Sequence, residues 1–154
     1  MKLLVLIIVC LCVFGLGVMF TNYHKHKLII FSDLVKFCVL FESSIRFNKL
    51  TINQFIKSNF KNFSPEFSKI LNDYFVLKKD IDCNYLTSKE IYDIEKFFLS
   101  LGSHDLIGEV ENIKNNKTIF ETAKAEIKTN NERVGLLGVK LGALCALLIF
   151  VIFV

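Results

Sequence analysis

Phe31, Leu34, Cys38, Phe41 and Ile45 step along the chain by 3, 4, 3 and 4, the spacing of one helical stripe, and predict a helix over about residues 28–47. Ile30, Phe37 and Val39 widen that stripe, as expected of a core helix with neighbours on several sides. Thr51 is placed to cap a short helix carrying Ile52, Phe55, Ile56 and Phe60. Ser64 before Pro65 is an N-cap with proline at the first helical position, where its missing N–H costs nothing. Phe67, Ile70, Leu71, Tyr74 and Phe75 then supply the apolar face of a third helix. Lys78 to Asn84 is polar, a connector with room for one helical turn. Thr87 and Glu90 form a capping box ahead of a helix with Ile91, Ile94, Phe97, Phe98 and Leu101 on its face, and Gly102 stops it. From Asp105 no proline intervenes, and Leu106, Ile113, Phe120, Ile127, Val134 and Leu141 recur at steps of seven. The intermediate positions Lys117, Lys124 and Asn131 are polar, so the apolar edge is narrow and suits a half-exposed antiparallel partner.

The two ends differ from this middle. Leu3 to Phe20 contains 18 residues without a charge, and a helix of that length covers roughly 27 Å of a hydrocarbon core about 30 Å thick. Val134 to Val154 is 21 residues long with one charge, Lys140, whose stem can carry its ammonium to the headgroups. A cleavable signal peptide would start on Lys2 alone and lacks a small-residue cleavage site before Thr21. A lipoprotein site at Cys10 or Cys12 would follow Val9 or Leu11, where a small residue is required. The expected organisation is therefore a transmembrane helix over 1–22, an all-α helical bundle domain over 23–133, and a second transmembrane helix over 134–154. His24, Lys25, His26 and Lys27 after the first span, with Lys124, Lys128 and Arg133 before the second, place the domain on the cytoplasmic side. The histidines and lysines after the first span are expected as a solvated basic collar under the headgroups.

Composition narrows the function classes. Of 154 residues 53% are hydrophobic, and only 7 are glycine and 1 proline, too few turn-makers for a many-stranded sandwich or barrel. Lys and Arg number 19 against 15 Asp and Glu, too balanced for a nucleic-acid binder. Five cysteines, three of them in the terminal runs, indicate no disulfide framework, and Cys38 and Cys83 have no metal-ligand spacing. His24 and His26, two apart, fall on different faces of a helix, so a shared metal ion is not expected. His104 beside Asp105 sits at a helix-to-helix turn, where Asp caps the next helix. Gly102 and Gly108 are the only glycines of the middle segment, which excludes a phosphate-cradling loop. The 12 phenylalanines of that segment are read as core. No nucleophile, base and metal constellation emerges, so the reading is a non-enzymatic domain without cofactor, metal or small-molecule substrate, with homo-oligomerisation open.

Leu99-Ser100-Leu101-Gly102-Ser103-His104-Asp105, then a long polar helix, then Asn131-Glu132-Arg133-Val134-Gly135-Leu136-Leu137-Gly138-Val139 ahead of an apolar tail, resembles the stage III sporulation protein AB family. That family has leucine-glycine, two residues and aspartate, a long Ala/Glu/Lys helix, an asparagine-glutamate pair and a glycine-spaced terminal span. Phe41-Glu42-Ser43-Ser44-Ile45-Arg46-Phe47 is similar to its leucine-glutamate-x-glutamate-isoleucine-x-tyrosine stretch. The chain departs from the family at Ser44, where a second glutamate is usual, at Thr51, where proline is usual, and at Glu109 and Val110, where glutamine is common. The resemblance implies a bundle similar to the platform-protein domain of type II secretion and type IV pilus systems. It also implies a scaffold in the channel between mother cell and forespore, in the outer forespore membrane, docking the cytosolic ATPase stage III sporulation protein AA beside other channel components. Glu42, Arg46, Asp105 and Glu109 are the partner-binding candidates. The alternatives are a platform protein of another secretion or pilus system, which would usually carry the helical domain twice, a membrane-anchored regulator, and an enzyme of unrecognised type, which would show a bound metal or a deep polar pocket.

Overall fold

In the computed structural model, residues 2–48 and 50–153 are described, with side chains over 24–48 and 50–133. Five α-helices follow one another: α1 (Lys2–Asn48), α2 (Ile52–Asn59), α3 (Pro65–Leu71), α4 (Ser88–Ser100) and α5 (Leu106–Phe153). A 3-10 turn at Phe60–Asn62 and a π turn at Asn72–Val76 complete the order, and the described residues contain no strand. The fold is all-α. The two expected membrane spans lie outside the residues whose side chains are described; among the described residues no helix is long and apolar enough to cross a membrane.

α1 and α5 are the frame. Asn131 Nδ2 donates to the His24 carbonyl (3.3 Å), Lys124 Nζ to Ser32 Oγ (3.1 Å), and Lys114 Nζ lies 4.0 Å from Glu42 Oε1. Residue numbers that meet rise on one helix as they fall on the other, so the pair is antiparallel. Phe31 packs edge-on against Phe120 at 6.4 Å between centroids, and Ile113, Phe120 and Ile127 of the heptad edge are buried. The polar heptad positions Lys124 and Asn131 hydrogen-bond across the seam, which fixes its register.

The other face of α1 carries the core. Phe37, fully buried, has ring neighbours at 5.3 Å (Phe55), 5.7 Å (Phe41), 5.9 Å (Phe98) and 6.2 Å (Phe63, Phe67 and Phe97). Aromatic pairs in these edge and tilted geometries gain about 0.5–1.5 kcal/mol beyond the area they bury. Nine of the phenylalanines expected as core are buried; Phe47, on the far side of α1, is 81% exposed.

Helix ends follow the local chemistry. Ser64 Oγ accepts the Phe67 N–H (3.3 Å), with Pro65 leading the helix, and the Ser64 N–H donates to Asp33 Oδ2 (2.7 Å) of α1. The Thr51 N–H donates to Gln54 Oε1 (3.1 Å). In the box at α4, Glu90 Oε2 accepts the Thr87 N–H (2.9 Å). The expected third helix does not stay regular: after Leu71 the chain winds into the π turn, which sets Tyr74 and Phe75 against Phe98 at 5.3 and 5.1 Å. The connector holds no helical turn over Lys78 to Asn84; Ile81 is buried within it and its N–H donates to Glu95 Oε1 (3.0 Å). Gly102 ends the α4 segment at φ +81°, a left-handed conformation that side chains disfavour.

Two expectations are corrected at the His24–Lys27 stretch. α1 continues through it, and the collar is not simply solvated. His26 Nδ1 meets Glu66 Oε1 at 2.8 Å while its ring stacks on Tyr85 at 4.7 Å, and Lys27 Nζ meets Glu90 Oε1 at 2.7 Å. Burial pushes the Glu90 carboxyl up, but the hydrogen bonds from Lys27 and Thr87 outweigh it and hold the group below the ordinary carboxylate range. Glu90 thus caps α4 with one oxygen and ties it to α1 with the other.

Candidate functional site

Glu42, four residues before Arg46 on α1, faces it across one helical turn. Glu42 Oε1 accepts from Arg46 Nε at 3.1 Å and lies 3.0 Å from Nη2, with the Lys114 ammonium of α5 at 4.0 Å. The carboxylate is mostly covered, whereas Arg46 and Lys114 are exposed. This pair presents charge to solvent and joins the hairpin at that level.

Asp105 caps α5. Its Oδ1 accepts the Gly108 N–H at 3.0 Å and its carbonyl accepts the Glu109 N–H at 2.8 Å. A Cβ at position 108 would stand 2.8 Å from Asp105 Oδ1, so a larger residue there would displace the capping carboxylate. Glu109 is only 5% exposed. Its Oε1 accepts the Gly102 N–H at 3.0 Å, holding the left-handed turn between α4 and α5, and its Oε2 lies 3.5 Å from His104 Nδ1 without a hydrogen-bond partner. Of the four candidates, Arg46 is exposed, Glu42 is half-buried beneath it, Asp105 is exposed but committed to its helix, and Glu109 is buried in the corner between α4 and α5.

Ser103, His104 and Glu109 resemble a hydrolytic triad in composition but not in geometry. Ser103 Oγ lies 3.0 Å from His104 Nδ1, the same nitrogen that faces Glu109. A proton relay needs the hydroxyl and the acid on opposite ring nitrogens. The corner orients and caps, and it is not arranged as a Ser-His-acid relay. Among the described residues no group of three or more His, Cys, Asp and Glu could hold a metal ion.

Replacing Glu109 separates its roles. Glu109→Ala removes the charged acceptor of the part-buried Gly102 N–H and is expected to destabilise the protein by about 1.5–3 kcal/mol. Glu109→Gln keeps an acceptor for that N–H and should cost less than half as much, as read by urea denaturation. Equal losses in the two variants would mean that the charge facing His104, rather than the hydrogen bond, holds the corner.

Helical periodicity did not reveal a group of exposed apolar side chains near the same end: Phe47 (81% exposed), Leu99 (77%), Leu106 (52%) and Ile107 (75%). Leu106 belongs to the heptad edge, but in the register of the seam its partner position lies past Asn48, where α1 has ended. The signal was the arithmetic of helix lengths, legible only once the pairing is known. Comparison of the chain with protein-family models, with curated proteins and with solved structures finds no match.

Proposed function

We propose that the protein is a non-enzymatic membrane scaffold that holds a helical domain at a bilayer and docks a cytosolic ATPase, in the manner of the sporulation channel component it resembles. One observation carries the reading: His24 and Asn131 meet at one end of the antiparallel hairpin, so the two apolar runs leave the domain together. That arrangement suits two spans entering one bilayer. Glu42 lies 18 residues along α1 from His24, about 27 Å away at the helical rise. The exposed Arg46, Asp105, Phe47 and Ile107 share that far end, where a soluble partner has access. The resemblance names the partner as stage III sporulation protein AA.

The test is a pull-down of that ATPase by the full-length protein in detergent. Exposed ion pairs contribute about 0–1 kcal/mol each, so Glu42→Lys alone should weaken capture modestly. Glu42→Lys combined with Asp105→Asn, which retains the cap because Asn serves as well as Asp, should weaken it further. Adding Phe47→Ser should bring capture to background, and salt should weaken the wild type, because charge complementarity is screened beyond about 8 Å at physiological ionic strength. Undiminished capture by the folded triple variant would reject this end as the docking surface. No capture by wild type would reject direct docking.

A further inference from the structure

The charges at the opposite end of the hairpin are sorted unequally. Two acidic side chains there, Glu66 at the start of α3 and Glu90 at the start of α4, are taken up by His26 and Lys27. Lys25 on α1 and Lys128 and Arg133 on α5 are exposed and make no hydrogen bond or ion pair among the described residues. Lys89 is likewise exposed on the first turn of α4, which the neighbouring Glu90–Lys27 pair holds at this end. Against these four cations stand three exposed acids, Glu126 and Glu132 of α5 and Asp93 of α4 one helical turn from Lys89, none of them in an ion pair among the described residues. The internal ion pairs thus take up Glu66 and Glu90, and the exposed cations left as a rim at this end, drawn from three helices, outnumber the exposed acids by one.

We propose that this rim binds the headgroup phosphates of anionic lipids, so that the domain selects the lipid around it. The inference rests on the two-span reading, which puts the rim at a bilayer surface. A lipid surface is favoured over a soluble phosphate because the four cations ring the end of the domain singly and converge on no pocket. A sheet of headgroups can engage them together, whereas one small anion reaches only one. Each basic residue close to an anionic surface strengthens the attraction roughly fivefold, and Asp93, Glu126 and Glu132 offset most of the sum, leaving the equivalent of about one such residue.

The experiment uses full-length protein in phosphatidylcholine nanodiscs doped with spin-labelled phosphatidylglycerol or spin-labelled phosphatidylcholine, reading the motionally restricted fraction of each. The expected result is enrichment of the anionic label by about threefold or more. It should be abolished by Lys25→Gln, Lys89→Gln, Lys128→Gln and Arg133→Gln together and unaffected by Lys114→Gln at the far end. Salt that shortens the screening length from about 10 Å to about 3 Å should erase the enrichment in the wild type, a readout independent of any variant. Equal occupancy by the two labels, or enrichment that survives the quadruple substitution, would overturn the proposal. Displacement of the label by inorganic phosphate at constant ionic strength would also overturn it, in favour of a small-anion site. Alkaline carbonate extraction separates the premise from the inference: release into the supernatant sinks both, whereas retention in membranes without lipid preference sinks the rim alone.

Discussion

Phe37→Ala is expected to cost about 3–5 kcal/mol, the range for deleting a fully buried aromatic side chain. The loss falls on one residue because six other phenylalanine rings, drawn from α1, α2, α3, α4 and the turn before α3, stand within 6.2 Å of its centroid. The cavity cannot close by moving one neighbour, since the rings are held by several different elements. Single domains are stable by about 5–15 kcal/mol, so the variant should retain a fraction of that margin and melt on the order of 15 °C lower. Phe47→Ala, at a site 81% exposed, should change stability by no more than about 0.5 kcal/mol. Thermal melts of the full-length protein in detergent, followed by circular dichroism, check both. Similar losses in the two variants would show that the ring cluster is not the centre of the core.

The second large effect is chemical. Cys38 is fully buried, and burial pushes its thiol from an ordinary 9.0 up to about 12, with Lys117 opposing only part of the rise. The reactive species is the thiolate, so at neutral pH Cys38 offers roughly a thousandfold less of it than an ordinary thiol, before any loss of access. Cys83 is half-buried in the connector. Iodoacetamide under native conditions should modify Cys83 and leave Cys38 untouched, and denaturant should abolish the difference, read site by site by peptide mass mapping. Comparable native rates would mean that α1 opens from the core at low cost. A membrane-impermeant thiol reagent can therefore report the side of the membrane at Cys83 and not at Cys38. Labelling of Cys83 in intact cells would place the domain outside and remove the cytosolic ATPase from its reach.

What could be read from the chain was local. The Thr87–Glu90 box, the Ser64–Pro65 start and the Gly102 stop depend on atoms within a few residues, and all three stand in the structure. The apolar stripes named the buried faces of α1 and α4, because a 3.6-residue period records which side is covered. It does not record by what. Lys27 looked like a solvated charge because its partner, Glu90, lies on another helix, and Glu109 looked like a surface acid because the Gly102 N–H it satisfies appears only once the corner is built. The π turn at Asn72–Val76 carried no local signal either, since Tyr74 and Phe75 fit an α-helical stripe equally well until Phe98 of α4 is in place. The candidate site divided along the same line. Asp105 was legible as a cap, whereas the exposure of Arg46 and the half-burial of Glu42 depended on where α5 runs.

The hairpin seam also sets an order of assembly. Its hydrogen bonds join residues 92 and 107 positions apart, so the face of α1 bearing Phe31 and Cys38 has no cover until α5 has been made. Translation proceeds at about 5–20 residues per second, which leaves that face open for roughly 5–20 s in each new chain. During that interval the segments from α2 to α4 can already gather around Phe37, whose ring partners all precede residue 99. The nascent domain is then a half-finished core with one apolar side open, the state most exposed to chaperones and proteases. Arrival of Ile113, Phe120 and Ile127 ends that exposure, and a ribosome that stalls before Ile113 leaves a chain that cannot leave it.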